Sequence, residues 1–222
     1  MHLSVIIPVY NEEKTVEALL KKVLSLKNIF EVIVVNDGSE DQTKGQLDKI
    51  KNPKLKVFHH PVNQGKGAAV RDGIKKAKGD FLIIQDADLE YDPHQFGKLM
   101  DQATMNLVVY GSRILGHNRH SYIRTYLGNV LVTNFYNLLY FKHLTDTYTC
   151  YKLIPTKIAQ KLKLASNGFE IEAEITAKLT KMGVRIIEVP IKFKPRSYEQ
   201  GKKIKAKDAL LGLWTYLKIK WM

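Results

Sequence analysis

The chain has 222 residues, 45% hydrophobic and 26% charged, a balance that builds one globular domain around a core and excludes an intrinsically disordered chain. Lys and Arg number 35 against 22 Asp and Glu, a formal charge of +13 that favours anionic partners: nucleotide phosphates, nucleic acid or an acidic membrane surface. The single cysteine, Cys150, excludes an internal disulfide and suits a reducing compartment; no long uncharged apolar run reads as a membrane span, and a secretory signal is not expected.

In chain order, Leu3 to Val9 is a continuous apolar run, as expected of a strand covered on both faces. Residues 12–26 then place Val16, Leu19, Leu20, Val23 and Leu24 on one helical face. Val32 to Val35 predicts a second strand, running directly into Asn36-Asp37-Gly38-Ser39. A helix through Leu47, a strand at Leu55 to Phe58, a helix from Gly65 to Ala77 and strands at Phe81 to Ile84 and Leu107 to Tyr110 continue the alternation. Strands alternating with helices predict a mainly parallel central sheet with helices on both faces, an α/β fold. Beyond it, residues 116–121 read as an exposed loop. Residues 122–141 read as a partly buried helix, because Arg124, Asn129, Asn134 and Asn137 interrupt the apolar run. A helix at 170–181, a strand at 184–191 and a C-terminal helix at 205–222 complete the pattern, the last with Leu210, Trp214, Leu217 and Trp221 on one face.

Ligands of such sheets bind beyond the carboxyl ends of the strands. Three polar clusters fall there, each directly after an apolar strand: Tyr10-Asn11-Glu12, Asn36-Asp37-Gly38-Ser39 and Asp86-Ala87-Asp88. An Asp-x-Asp alone is equally a turn former; the shared placement singles it out. Asp86 and Asp88 offer hard oxygen ligands for Mg2+ or Mn2+, with Glu90 a third ligand directly or through water. A cation there would neutralise the charge on a departing nucleoside diphosphate. Asn63-Gln64-Gly65-Lys66-Gly67 opens a helix and is expected to present backbone N–H groups and Lys66 to an anion, although it is not a P-loop.

In this order and spacing, Pro8-Val9-Tyr10-Asn11-Glu12, Asn36-Asp37-Gly38-Ser39, Asn63-Gln64-Gly65-Lys66-Gly67 and Asp86-Ala87-Asp88 resemble inverting glycosyltransferase family 2, over nearly the whole chain. Gly111-Ser112-Arg113, Asp146-Thr147-Tyr148-Thr149-Cys150-Tyr151-Lys152 and Phe193-Lys194-Pro195-Arg196 followed by Gly201-Lys202-Lys203 resemble its dolichyl- and polyprenyl-phosphate sugar synthases. Cys150 stands where that branch usually has glycine, and Glu90 where several members have Gln. The resemblance implies a GT-A fold, with a catalytic domain over residues 1–204 (a Rossmann-like nucleotide-sugar half to 115, an acceptor half from 116) and a basic amphipathic helix at 205–222. It implies metal-dependent transfer of a hexose from a nucleotide sugar, of GDP-mannose or UDP-glucose type, to a lipid phosphate such as dolichyl or polyprenyl phosphate. Pro8, Tyr10, Glu12 and Asp37 would hold the nucleoside, and Asp86 and Asp88 the ribose-diphosphate and metal. Lys66, Arg196 and Lys203 would serve the donor, Lys202 being interchangeable with Lys203, and Arg113 would meet the acceptor phosphate.

A phosphate monoester, with a second pKa of about 6, attacks without a general base, whereas a sugar hydroxyl needs a carboxylate, for which Asp146 or Glu172 is the candidate. Arginine suits an acceptor phosphate, and Arg113 and Arg124 meet that need. The tail fits a membrane surface, with Trp214 and Trp221 near the interface and Lys205, Lys207, Lys218 and Lys220 toward headgroups; a core or dimer helix is the equal alternative. The expected location is cytoplasmic, on the cytoplasmic face of a membrane. A sugar nucleotidyltransferase would carry a glycine-rich signature near the first strand, which is missing here. A basic nucleic-acid-binding module would show a helix-turn-helix, zinc or aromatic-platform motif, and none stands out. An inactive scaffold would not be expected to keep Asp86 and Asp88.

Overall fold

The computed structural model describes residues 1–118, 126–196 and 207–222, and the backbone alone of residues 123–125 and 206. Strands β1 (Leu3–Val9), β2 (Ile29–Asp37), β3 (Leu55–His60), β4 (Phe81–Ile84), β5 (Leu107–Ser112), β6 (Lys152–Pro155) and β7 (Arg185–Pro190) form one sheet in the order β3-β2-β1-β4-β6-β5-β7. β6 runs antiparallel to both β4 and β5, and the other neighbouring pairs are parallel. The expected mainly parallel sheet is therefore present, with one reversed strand that the sequence pattern did not announce. β6 has four residues, begins with a lysine and ends with a proline, so neither length nor alternation marks it.

The helices are α1 (Val16–Ser25), α2 (Thr43–Lys49), α3 (Lys66–Lys76), α4 (Phe96–Met100), α5 (Ile123–Tyr140), α6 (Thr156–Lys161), α7 (Ile171–Lys181) and α8 (Ala206–Trp221). α4 and α6 were also missed, at five and six residues too short to show a helical period. The main core lies between the sheet and its covering helices. Val5, Ile6, Ile7, Val32, Ile33, Val34 and Val35 from the strands meet Val16, Leu19, Leu20 and Val23 of α1. Each such side chain contributes about 1.5–3 kcal/mol on burial, so the apolar runs dictate which segments become strands.

A second apolar cluster joins α5, α7 and α8 through Val132, Tyr136, Tyr140, Ala173, Ala177, Tyr216 and Ile219. Tyr140 donates to the Tyr216 carbonyl at 2.9 Å and Tyr136 meets the Thr180 hydroxyl at 2.6 Å. The inner face of α8 is thus packed on protein. Its outer face exposes Leu210, Leu211, Trp214 and Trp221, the tryptophans 63% and 80% exposed. Neighbouring α5 exposes Leu127, Leu131 and Leu138, and Phe141 follows it. Among the described residues, no helix is long and apolar enough to cross a membrane.

Register places the site. Val9 pairs with Asn36, so Tyr10 leaves β1 beside Asp37, the last residue of β2. Ile6 pairs with Ile84, and the Gln85 N–H donates to the Ile6 carbonyl at 2.9 Å, so Asp86 leaves the sheet beside Pro8.

Candidate active site

At this edge a cavity of about 470 Å3 is lined by Pro8, Tyr10, Glu12, Asp37, Lys66, Asp86, Asp88, Glu90, Arg113 and Arg196. The candidate donor, metal and acceptor residues with described side chains face this space, as does Glu172; Asp146, the other candidate base, is fully buried behind the wall. Lys203 and the side chain of Arg124 lie outside the described residues.

One end of the cavity is built around Asp37. One carboxylate oxygen accepts from the Gln64 N–H at 3.0 Å and the other from the Gly65 N–H at 2.7 Å. The loop can close this tightly because Gly38 has φ +68° and lies against the loop backbone: a Cβ there would sit 2.5 Å from the Asn63 nitrogen. The N–H of Gly67 donates to the Asn167 carbonyl at 2.7 Å. The amides of Gln64, Gly65 and Gly67 are thus taken by Asp37 and Asn167. This corrects the expectation that they face a ligand anion: the anion they hold is the protein's own.

Within that loop, the Lys66 side chain reaches across the cavity to its carboxylates. Its ammonium lies 2.8 Å from Asp86 and 3.2 Å from Glu172. Burial would lower the lysine pKa, but the carboxylates of Asp86 and Glu172 overcome it and raise the pKa well above the ordinary value, so Lys66 stays charged. Glu172 is also paired with the fully buried Lys152, which donates to the Thr149 carbonyl as well.

Asp88 carries the opposite tension. Burial first, then the neighbouring charges of Asp86 and Glu90, push its carboxyl up to about 7, while Arg196 pulls it down. The Arg196 guanidinium bridges Glu12, at 3.1 and 3.2 Å, to Asp88, at 3.3 Å, and the backbone N–H of Arg196 donates to Glu90 at 2.5 Å. Glu90 is thereby turned to the backbone of residue 196. Among the described residues, no three His, Cys, Asp or Glu side chains form a metal-binding group. The structure therefore does not assemble Asp86, Asp88 and Glu90 as a three-carboxylate ligand set.

At another wall, Arg113 makes a two-pronged pair with the fully buried Asp146, both contacts at 2.7 Å, and stacks on the Phe193 ring at 5.3 Å. Asp146 also accepts from the Arg113 N–H at 3.0 Å and from Asn129 at 3.0 Å. Burial would raise the Asp146 pKa, but Arg113 and these hydrogen bonds hold it below the usual carboxylate range. An ionised carboxylate sealed this way is a brace for Arg113, which weighs against its candidacy as a general base. Cys150 is buried, its thiol 3.2 Å from the Ile84 carbonyl and its pKa raised by burial, so it packs and does not react.

Tyr91 and Phe169 also line the cavity and were not singled out from sequence; Tyr148, which lines it too, falls within the 146–152 motif but was given no role. Aromatic residues without a local motif give no signal there. Phe169 follows a loop and only the fold turns it under the Lys66 ammonium, 5.7 Å from the ring centre.

A family model described as glycosyl transferase family 2 matches residues 4–162. The dolichyl-phosphate beta-glucosyltransferase of Homo sapiens is 28% identical over 214 residues, covering 84% of this chain and 66% of that protein. The dolichol-phosphate mannosyltransferase of Pyrococcus furiosus is 29% identical over 213 residues, covering 91% of this chain and 59% of that protein. The chain thus spans about two thirds or less of the length of these relatives. Among solved structures, glucosyl-3-phosphoglycerate synthase from Mycobacterium tuberculosis, in complex with Mn2+, uridine diphosphate and glucosyl-3-phosphoglycerate, aligns with a TM-score of 0.74 at 17% identity, covering 100% of this chain and 80% of that one. At such identity the likeness speaks for the fold, which is GT-A. The family model takes in well over half of the sequence, and its strand-end motifs meet in one cavity: the chain belongs to glycosyltransferase family 2.

Proposed function

We propose that the chain transfers a hexose from a nucleoside-diphosphate sugar to a lipid phosphate of the dolichyl or polyprenyl class, with inversion at the anomeric carbon. The observation that carries this reading is the meeting of Asp37, Asp86, Asp88 and Arg113 around one cavity. The names of the relatives support the acceptor class, and the uridine diphosphate of the structural neighbour supports the donor class.

The donor set suits a hard divalent cation. Asp86 and Asp88 are neighbouring carboxylates, Asp86 and Glu90 adding to the burial that raises the Asp88 pKa, and Lys66 and Arg196 already bring cations to them. Asp86 and Asp88 would hold Mg2+ or Mn2+ with diphosphate and water completing the shell. Bound there, the ion supplies charge neutralisation to the leaving diphosphate. Lys66 and Arg196 supply further positive charge at the same place, Arg196 exchanging a carboxylate for a phosphate oxygen when donor binds.

On the acceptor side, Arg113 holds the lipid phosphate, braced by Asp146. A phosphate oxygen forms the new bond to the anomeric carbon, the bond from that carbon to the diphosphate oxygen breaks, and the nucleoside diphosphate departs with the electron pair. No proton need be removed from a dianionic phosphate. The exposed apolar residues of α5 and α8, with the basic surface, bring the chain to a membrane carrying the acceptor.

The test offers UDP-glucose and GDP-mannose, each with polyprenyl phosphate, with polyprenol and with soluble oligosaccharide. The expected product is a polyprenyl-phosphate sugar, formed only from the phosphorylated lipid. Transfer to oligosaccharide with none to lipid phosphate would overturn the acceptor assignment and bring forward Glu172, which lines the cavity, as a base.

A further inference from the structure

His60 ends β3 with its ring between two carboxylates. One ring nitrogen lies 2.7 Å from Asp37 and the other 3.2 Å from Asp72 of α3, and the side chain is only 10% exposed. An imidazole can donate through both nitrogens only as the imidazolium; either neutral tautomer turns a lone pair on one of the two carboxylates. The same Asp37 oxygen also accepts from Gln64, and the other oxygen from Gly65.

Other charges around the ring are accounted for. On α3, Asp72 is shared with Lys75 at 2.9 Å, and that ion pair draws its pKa down against the effect of burial. His59, on the same strand, is tied to Asn36 at 3.0 Å and Asp48 at 3.1 Å. Glu40 and Lys44 stand with His60 around a second cavity, which lies against the nucleoside loop and shares Asn63 with the first. The two carboxylates in contact with His60 are Asp37 and Asp72.

We infer that His60 is a positioning residue of the donor site: as an imidazolium bridging Asp37 to Asp72, it fixes the Asp37 carboxylate in the geometry and charge that receive the nucleoside, so that donor affinity depends on His60 protonation. This rests on the proposed placement of the nucleoside at Asp37 and adds to it a residue that no strand-end motif contains. Once His60 loses its second proton, one of its two contacts becomes a repulsion, and in the tautomer that turns the lone pair on Asp37 this carboxylate keeps only its backbone donors. Neutral ring or Gln at this position therefore leaves the fold intact and the carboxylate loosely aimed.

The experiment measures the affinity of UDP and of GDP, each with excess MgCl2, by calorimetry from pH 5.5 to 8.5 in the wild-type chain, in His60→Gln and in Asp72→Asn. Titration of the nucleotide phosphate is common to all three and cancels in their comparison. For the nucleotide that binds, the wild type is expected to be about tenfold tighter than His60→Gln at low pH, the scale of one charge-assisted hydrogen bond, with the gap closing as pH rises. Asp72→Asn is expected to move that closing to lower pH. In turnover assays the loss falls on donor KM with kcat unchanged. A nucleotide that binds equally to wild type and His60→Gln at every pH overturns the relay alone. Binding of neither nucleotide to the wild type at any pH removes the nucleotide site itself, and the relay with it.

Discussion

Replacing Arg113 with Met should destabilise the protein by an amount the structure lets one work out. The substitution keeps side-chain length but removes the two guanidinium contacts, each 2.7 Å, from a carboxylate with no solvent exposure. Asp146 would keep only the N–H of residue 113 and Asn129. Stranding one member of a buried ion pair costs about 3–5 kcal/mol. For a chain of this size each kcal/mol moves the melting temperature by about 2–4 °C, so a fall of roughly 6–20 °C is expected at neutral pH. The sign of the pH dependence follows from Asp146. In the wild type its pKa is depressed, so the pair stabilises fully above the unfolded carboxylate pKa of about 3.9 and loses that contribution as pH falls. Without Arg113 burial raises the pKa, the stranded carboxylate takes up a proton, and the deficit of the variant narrows between pH 7.5 and pH 5. Arg113→Met combined with Asp146→Asn should recover much of the loss, because no buried charge remains unpaired. Thermal melts of the two single variants and the double variant at both pH values measure all three effects. Nucleotide binding should persist in Arg113→Met while transfer to lipid phosphate is lost. A melting temperature within 2 °C of wild type, or a double variant equal to the sum of the singles, would refute the buried pair and with it the brace on the acceptor side.

Other consequences are as direct. Gly38→Ala forces a Cβ to within 2.5 Å of the Asn63 nitrogen at φ +68°, so the loop that meets Asp37 must shift; nucleotide affinity should fall at least tenfold, measured by calorimetry, with the sheet intact by circular dichroism. Glu174 accepts from the Ala165 and Ser166 N–H groups and pairs with Lys178 at 2.7 Å; against the effect of burial, these contacts hold its pKa below the usual value. Glu174→Gln should therefore melt about 3–12 °C lower at pH 7 and converge on the wild type as pH falls below about 4.3, where the wild type loses the same charge. The tail cannot be deleted cleanly, since Tyr216 and Ile219 belong to a packed cluster. Trp214→Ser with Trp221→Ser removes only exposed aromatic surface, and flotation on anionic liposomes should fall at least tenfold without change in melting temperature. Undiminished flotation would remove α8 from the membrane surface.

The half of the fold that carries the polar strand-end loops was legible because parallel strands buried on both faces must be apolar without interruption, and β1, β2 and β4 each pass directly into a polar cluster. Strand-end placement brought Tyr10, Asp37, Asp86 and Asp88 together before any geometry was known. The remainder depends on contacts distant in sequence. β6 is short and inverted, and its wholly buried Lys152 reads locally as surface. The loop at 63–67 advertises donors, but only the fold shows Asp37 and Asn167 as their acceptors. Glu90 has the spacing of a third ligand, yet the Arg196 N–H, 106 residues away, claims it. Asp146 and Glu172 were alike as candidate bases; burial and a two-pronged arginine separate them, one sealed and the other on the cavity wall. His60 drew no notice because a histidine at a strand end acquires meaning only from the carboxylates on either side.

The central claim is that Asp86 and Asp88 bind a nucleoside diphosphate through a divalent cation. Calorimetric titration of UDP and GDP into the wild-type chain and into Asp88→Ala, each with Mn2+ and again with EDTA, tests it most directly. The account predicts tight binding of one nucleotide to the wild type with Mn2+ only, and its loss in an Asp88→Ala chain that melts as a folded protein. Equal affinity with EDTA, or undiminished Mn2+-dependent binding to Asp88→Ala, would contradict it.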